Sequence, residues 1–231
     1  MTSQYPLPLP HHEAMESDDF MVTSSNREAA AWIDNWPDWL AHCLIIYGPS
    51  GAGKTHLAHV WQHRSKGKII TSDDLINDTA SAIVMSNRFI AIDDAETIAR
   101  DGSREQTLFH LFNMLREAKG FLLLTAKSAP AQWPILLADL RSRLSASPAV
   151  ALTSPDDRLM SALLIKQFRD RQLDVRTDVL DFLLPRIERT SSAIRQLVGA
   201  LDRASLAEGR RITITLAKRV IETSVLPKDV M

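Results

Sequence analysis

The stretch "IIYGPSGAGKTH" at residues 45–56 joins an apolar run to a segment of helical composition. Its spacing G-x-x-x-x-G-K-[ST] is typical of a loop whose backbone N–H groups bind phosphate oxygens. In such loops the lysine lies near the β and γ phosphates, and the hydroxyl that follows it is offered to Mg²⁺. A glycine-rich turn without function is the alternative interpretation. The residues that we expect around the phosphates are Gly48, Pro49, Ser50, Gly51, Ala52, Gly53, Lys54, Thr55 and His56.

Short apolar runs recur along the chain, separated by stretches of helical composition. They are apolar throughout rather than alternating, which indicates strands buried on both faces and therefore a parallel sheet covered by helices. The sequence predicts an α/β fold with a five-stranded parallel sheet. The runs lie at residues 44–48, 68–71, 88–94, 121–126 and 149–153.

Beyond Pro155 the pattern changes to stretches with apolar residues at helical spacing and no further strand-like run. This indicates a small all-helical second domain. Ser154, and either Ser191 or Ser192, are candidate N-caps, and Gly209 is placed to end the third helix of this domain. We expect an extended N-terminal segment and linker (1–19), an α/β domain (20–153) and a helical domain (154–231).

Composition narrows the class of function. The 231 residues carry a formal net charge of −1, so no global positive field gathers nucleic acid, which argues against a dedicated DNA-binding protein. The single cysteine, Cys43, lies in an apolar stretch and is expected to be a buried thiol in a reducing compartment. No stretch reaches the roughly 18 apolar residues of a membrane span, and we find no signal peptide. We expect a cytoplasmic protein without a membrane partner.

"FIAIDDAE" (89–96) places two carboxylates directly after the third apolar run. In phosphate-loop proteins one carboxylate at this place holds the Mg²⁺ shell, and a neighbouring one orients or activates the attacking water. We assign the first role to Asp93 and the second to Asp94, so that Thr55 and Asp93 hold Mg²⁺ together with a nucleotide. A helix N-cap is the alternative for Asp94. Glu96 is interpreted as a surface residue.

"QYPLPLP" (4–10) contains three prolines in seven positions. Because proline fixes φ and lacks a backbone donor, this segment is expected to lie extended, near polyproline II. That geometry suits a ligand segment, and a solvated N-terminal tail is the alternative.

The phosphate loop, the "IDD" pair, "LLLTA" (122–126), "LRSRL" (140–144) and "AIRQLVGALDR" (193–203) resemble, in order and spacing, the AAA+ module of the bacterial replication initiator DnaA. The strings "GKTHLAHVW" and "IRQLVGALDR" resemble strings found at the same places in DnaA initiators, and they are not general to phosphate-loop proteins. The resemblance covers roughly residues 20–226. We find no helix-turn-helix segment after the helical domain, and a glutamine-leucine-proline segment precedes the module. That combination resembles the Hda family, the regulatory inactivators of DnaA.

The resemblance implies an AAA+ regulator that binds the DNA polymerase sliding clamp through Gln4, Leu7, Pro8 and Leu9, and binds ADP or ATP with Mg²⁺ in its own loop. It also implies stimulated hydrolysis of DnaA-bound ATP by a trans arginine, which prevents re-initiation of replication. The active site then belongs mainly to DnaA, so weak or no intrinsic ATP hydrolysis is expected of this chain. The expected location is the nucleoid or replisome, with DNA contacted mainly through the clamp and a homodimer as an alternative to a monomer.

Individual roles follow from the AAA+ resemblance. Thr125 matches the polar residue that senses the γ-phosphate, and Arg195 matches the second sensor in the helical domain. Arg143 matches the arginine finger that is inserted into a neighbour's ATP site, with Arg141 as the alternative finger. A strand-capping residue is the alternative for Thr125, and a solvated surface arginine is the alternative for the arginines.

Phe20 and Val22 resemble the apolar residues that pack around the adenine base, with simple core packing as the alternative. Only a short stretch separates the second run from "FIAIDD", so the insertion that initiators use for self-assembly is expected to be reduced. Two other functions fit parts of the pattern. One is a DnaA-like helicase loader or DNA-remodelling ATPase that uses its own ATP cycle, and the other is a P-loop kinase with a small-molecule acceptor.

Overall fold

The apolar runs form one parallel sheet in the order β2-β3-β4-β1-β5, which confirms the predicted five-stranded arrangement. The computed structural model describes residues 21–225. Because all pairings are parallel, the carboxyl ends of the strands meet at one edge of the sheet, where ligands of open α/β sheets bind. The strands are β1 (Cys43–Tyr47), β2 (Lys68–Ile70), β3 (Phe89–Ile92), β4 (Phe121–Ala126) and β5 (Ala149–Ala151).

Helices cover both faces of the sheet, as the continuous apolar runs require. Leu44 and Ile46 of β1 pack on one face with Trp61 of α2, whereas Cys43 and Ile45 pack on the other face with the second group of helices. The predicted thiol, Cys43, is buried, and burial raises its pKa to about 12. The helices of this domain are α1 (Arg27–Asp34), α2 (Lys54–Ser65), α3 (Asp74–Asn77), α4 (Ala80–Ser86), α5 (Gly102–Glu117) and α6 (Ala138–Ala146).

The helical domain consists of α7 (Asp157–Asp170), α8 (Thr177–Leu183), α9 (Ser191–Glu208) and α10 (Ile214–Val225), packed around a separate apolar core. The C-cap of α9 is Gly209 with φ +60°, as predicted.

The predicted N-caps of the helical domain were wrong. Asp156 caps α7 and accepts from the N–H of Leu159 at 2.8 Å, and Thr190 caps α9 and accepts from the N–H of Ala193. Ser154 lies too early in the chain, and Ser191 and Ser192 are already inside α9. A cap side chain accepts from the N–H two or three residues later in the chain. Asp156 and Thr190 stand at that spacing from the first turns of α7 and α9.

The first described residues join the two domains. The hydroxyl of Ser24 donates to Asp156 at 2.8 Å, and the N–H of Thr153 donates to the carbonyl oxygen of Ser25 at 3.2 Å. None of the helices within residues 21–225 is long and apolar enough to span a bilayer. The predicted clamp-binding residues Gln4, Leu7, Pro8 and Leu9, and the predicted adenine contact Phe20, lie outside the described residues.

Candidate nucleotide-binding site

The phosphate loop is one continuous turn from β1 into α2. Gly48 approaches the chain beyond β5 so closely that a Cβ would stand 2.3 Å from the carbonyl oxygen of Leu152. Gly51 and Gly53 have φ of +76° and +99°, in the left-handed region that glycine favours. Gly53 is the N-cap of α2, so the free N–H groups at the start of that helix face the loop, and His56 lies half-buried in its first turn.

Lys54 is buried and folded back onto the loop. Its Nζ donates to the carbonyl oxygen of Gly48 at 2.8 Å and to that of Pro49 at 2.9 Å. Burial lowers the pKa of Lys54, and nearby carboxylates, Asp94 first, oppose this shift. The amine is therefore held against the backbone of the loop, and its contact with phosphate stays a prediction.

Asp93 joins the phosphate loop to the end of β4. The hydroxyl of Thr55 donates to one carboxylate oxygen of Asp93 at 2.7 Å, and the hydroxyl of Thr125 makes a short hydrogen bond to the other. Thr125 is fully buried, so its hydroxyl contacts Asp93 rather than solvent. The structure thus brings the two predicted magnesium ligands together, and the sensor role of Thr125 stays a prediction.

Asp94 and Glu96 form the remainder of an acidic loop after β3. Asp94 has φ +49°, and its N–H donates to the hydroxyl of Thr125 at 3.1 Å. Glu96 is half-buried and accepts from the N–H of Lys127 at 3.1 Å, while its other oxygen is buried. Glu96 thus lies partly at the surface, as interpreted, with one of its two carboxylate oxygens buried. Its place depends on a contact with the chain after β4, which no local pattern reveals.

The start of α9 lies directly against the phosphate loop. A Cβ on Gly51 would stand 2.4 Å from the side chain of Thr190, the N-cap of α9. Arg195, the predicted second sensor, is exposed in the second turn of this helix. The N-cap of α9 therefore lies at the phosphate loop, and the sensor role of Arg195 stays a prediction.

Val22, a predicted adenine contact, lies at a groove between α1 and α2. The groove has a volume of about 540 Å³, and Val22 is 49% exposed at its edge. Ile33 of α1 and Leu57 and Val60 of α2 line the same groove. The adenine contact of Val22 stays a prediction.

The two candidate arginine fingers lie on α6 in different environments. The guanidinium of Arg143 lies over the rings of Phe109 and Phe112 of α5. Arg141 is exposed, with one guanidinium nitrogen 3.5 Å from the carbonyl oxygen of Ile135. Arg143 is thus held by an aromatic surface, whereas Arg141 folds back along its own loop. The sequence analysis did not find the two phenylalanines, because their contact with α6 is not local.

The sequence of the α/β domain is similar to known initiators. Residues 12–151 match the family model described as the bacterial DnaA ATPase domain. The chain belongs to this DnaA family. Residues 156–221 match a second model, described as the Hda lid domain.

Relatives within the DnaA family are whole initiators. The chain is 32% identical over 225 residues to the chromosomal replication initiator protein DnaA of Thermomicrobium roseum, covering 88% of this chain and 48% of the relative. It is 29% identical to DnaA of Cutibacterium acnes, covering 93% of this chain and 49% of the relative. The chain therefore spans about half the length of the curated relatives it matches.

Solved DnaA structures share the AAA+ fold of this chain. Domain III of DnaA from Thermotoga maritima superposes with a TM-score of 0.78 at 20% identity, over 95% of this chain and all of that one. AMPPCP-bound DnaA from Aquifex aeolicus superposes with a TM-score of 0.71 at 20% identity, over 86% of this chain and 68% of that one. The predicted AAA+ architecture with a helical lid is confirmed.

Proposed function

We propose that this DnaA-family chain is a clamp-associated regulator that stimulates hydrolysis of ATP bound to DnaA. The observation that carries the proposal is the match of residues 156–221 to the Hda lid, in a chain whose α/β domain belongs to the DnaA family. The N-terminal "QYPLPLP" supports the clamp contact by its composition, with Gln4, Leu7, Pro8 and Leu9 as its contact residues. A regulator of this kind limits re-initiation of chromosome replication.

The residues of the phosphate loop fit a bound ADP or ATP. The space beside Gly53 is open, with no atom within 4 Å of a Cβ built there, and the amine of Lys54 already lies inside the loop. Lys54 would exchange its carbonyl partners for phosphate oxygens, and the N–H groups at the start of α2 would donate to the same anion. Arg195 of α9 would be the contact from the lid.

Oxygen ligands for Mg²⁺ are present beside the loop. The hydroxyl of Thr55 and the carboxylate of Asp93 are of the type that Mg²⁺ binds. Within residues 21–225, no group of three or more His, Cys, Asp or Glu side chains is arranged to hold a metal. An ion bound beside the loop would be held jointly by Thr55, Asp93 and the phosphates, and it would neutralise phosphate charge. Asp94 is then placed to orient a water molecule, if the chain hydrolyses ATP itself.

Arg143 acts in trans on ATP bound to DnaA. Its contacts in this chain are with the aromatic rings of α5, and its delocalised guanidinium suits the developing charge of a phosphoryl transition state. In other phosphate-loop systems such an arginine raises the rate by a factor on the order of 10³ to 10⁵. The catalytic contribution of this chain therefore depends on Arg143 rather than on its own acidic loop.

The test is hydrolysis of DnaA-bound ATP, measured as phosphate release, with the full chain and clamp loaded on DNA. The intact chain should raise the rate, Arg143→Ala should abolish the stimulation, and Arg141→Ala should retain it.

A triple Gln4→Ala, Leu7→Ala, Leu9→Ala variant should lose both clamp binding and clamp-dependent stimulation. Full stimulation by Arg143→Ala would contradict the finger. No stimulation by the intact chain, with nucleotide-dependent self-assembly and salt-sensitive DNA binding, would favour a helicase loader instead.

A further inference from the structure

Glu105 is a fully buried acidic side chain that the nucleotide site does not use. It is 0% exposed, and the other Lys, Arg, Asp or Glu residue buried within residues 21–225 is Lys54 of the phosphate loop. Burying a carboxylate is costly unless hydrogen bonds replace its hydration. The contacts of Glu105 therefore need a structural or functional reason.

The carboxylate of Glu105 accepts hydrogen bonds from backbone N–H groups of two separate loops. Oε1 accepts from Arg100 at 2.9 Å and from Leu136 at 3.1 Å, and Oε2 accepts from Leu137 at 2.7 Å and from Leu136 at 3.0 Å. One side chain of α5 thus ties the loop before α5 to the loop before α6.

One of these loops starts the helix that carries Arg143. Leu137 is the N-cap of α6, and its apolar side chain supplies no capping hydrogen bond. Glu105, on a neighbouring helix, accepts instead from the N–H of Leu137 itself, one of the N–H groups at the helix start that have no intrahelical partner, and a negative group is favoured at a helix N-terminus. The position of α6 therefore depends on Glu105.

The other loop is the one before α5, which begins at the acidic pair Asp93 and Asp94 after β3. Asp94 is followed by a short 3₁₀ helix (Ala95–Ile98) and by Arg100, which has φ +68°. The N–H of Asp94 donates to the hydroxyl of Thr125, so the start of this loop belongs to the candidate nucleotide site. The end of the loop is fixed by the hydrogen bond from the N–H of Arg100 to Glu105.

We propose that Glu105 is a positioning residue that links the chain's own nucleotide site to Arg143. A shift of the acidic loop on nucleotide binding is carried by Arg100 to Glu105 and from there to the N-terminus of α6. The occupancy of the chain's own site thereby sets the position of the arginine that acts on DnaA. This inference rests on the trans role of Arg143 proposed above.

The first test uses Glu105→Gln, which puts an NH₂ group in place of one oxygen and sets it against backbone donors. Exposed Glu117 on the same helix gives the matched control Glu117→Gln. With the full chain, DnaA-bound ATP and DNA-loaded clamp, Glu105→Gln should lower the maximal stimulated rate by about tenfold or more. The half-saturating concentration, clamp binding and ADP binding should stay unchanged. An unchanged maximal rate, or a parallel loss of ADP and clamp binding, would overturn the proposal.

A second measurement needs no DnaA. Cys43 is the one cysteine of the chain, it is 1% exposed, and its pKa is raised to about 12, so it resists thiol labelling. Ser142→Cys on the exposed side of α6 then carries a single nitroxide label. ADP should change the EPR line shape of this chain, and the change should be absent when Glu105→Gln is added. The same line shape with and without ADP would overturn the link. A line-shape change in a chain that fails to stimulate DnaA would support the link and refute the proposed function.

Discussion

The guanidinium carbon of Arg143 lies 5.0 Å from the centroid of the Phe109 ring and 5.8 Å from that of the Phe112 ring. Both rings belong to α5, so one helix holds the side chain that the next helix carries. A cation over an aromatic face is attracted by the quadrupole of the ring. Nε of Arg143 is buried without a hydrogen-bond partner among the described residues, so the stem is fixed by packing.

We predict that Phe109→Leu weakens stimulation of DnaA-bound ATP hydrolysis by about 2- to 30-fold, the loss expected from one cation–π contact. Phe109→Tyr keeps a π face and is the matched control, which should retain most of the stimulation. Phosphate release at saturating chain concentration is the measurement. Full stimulation by Phe109→Leu would show that the ring does not position Arg143.

We predict that Lys54→Met lowers the affinity for ADP by about 10- to 100-fold, because a charged hydrogen-bond donor to phosphate is lost. Lys218→Met on the exposed face of α10 is the control for a general charge effect. Affinity is measured by calorimetric titration with ADP and Mg²⁺. Equal affinities for the two variants would exclude a contact between Lys54 and phosphate.

The sequence was informative where a feature depends on one contiguous stretch. The phosphate loop and the strands were predicted because glycine spacing and unbroken apolar runs are local patterns, and Asp93 was predicted because it directly follows such a run. The contacts of Glu96 and Glu105 were not predicted, because each side chain accepts a hydrogen bond from a residue 31 positions further along the chain. The N-caps were misplaced by one or two residues, since several Ser, Thr and Asp side chains compete near each helix start.

We predict that Gly51→Ala destabilises the fold by about 1–3 kcal/mol, because φ at this position is +76° and the new Cβ meets Thr190. Gly102→Ala is the control. Its Cβ enters open space in the first turn of α5, so a gain of about 0.4–1 kcal/mol is expected. Urea unfolding gives both values. If Gly51→Ala leaves the free energy of unfolding unchanged, Thr190 of the lid does not restrict the space beside Gly51.

We predict a pH-dependent contribution of Asp156, the N-cap of α7. The N–H of Leu159 and the hydroxyl of Ser24 donate to Asp156 and hold its pKa below the usual carboxyl range. Because the folded-state pKa is lowered, this contribution is complete above the unfolded-state value of about 3.9 and is lost as pH falls through the folded-state value. Asp156→Asn keeps an accepting oxygen at the cap and cannot titrate.

The stability advantage of the wild-type chain over Asp156→Asn should therefore stay constant from neutral pH down to the unfolded-state value of about 3.9, and shrink as the pH falls further through the folded-state value. Asp156→Ala removes the cap itself and should cost about 1 kcal/mol relative to Asp156→Asn at neutral pH. Urea unfolding across this pH range measures both differences. An advantage over Asp156→Asn that stays constant down to the lowest pH would mean that the two hydrogen bonds do not favour the ionised carboxylate, and the junction between Ser24 and the lid would have to be held by other contacts.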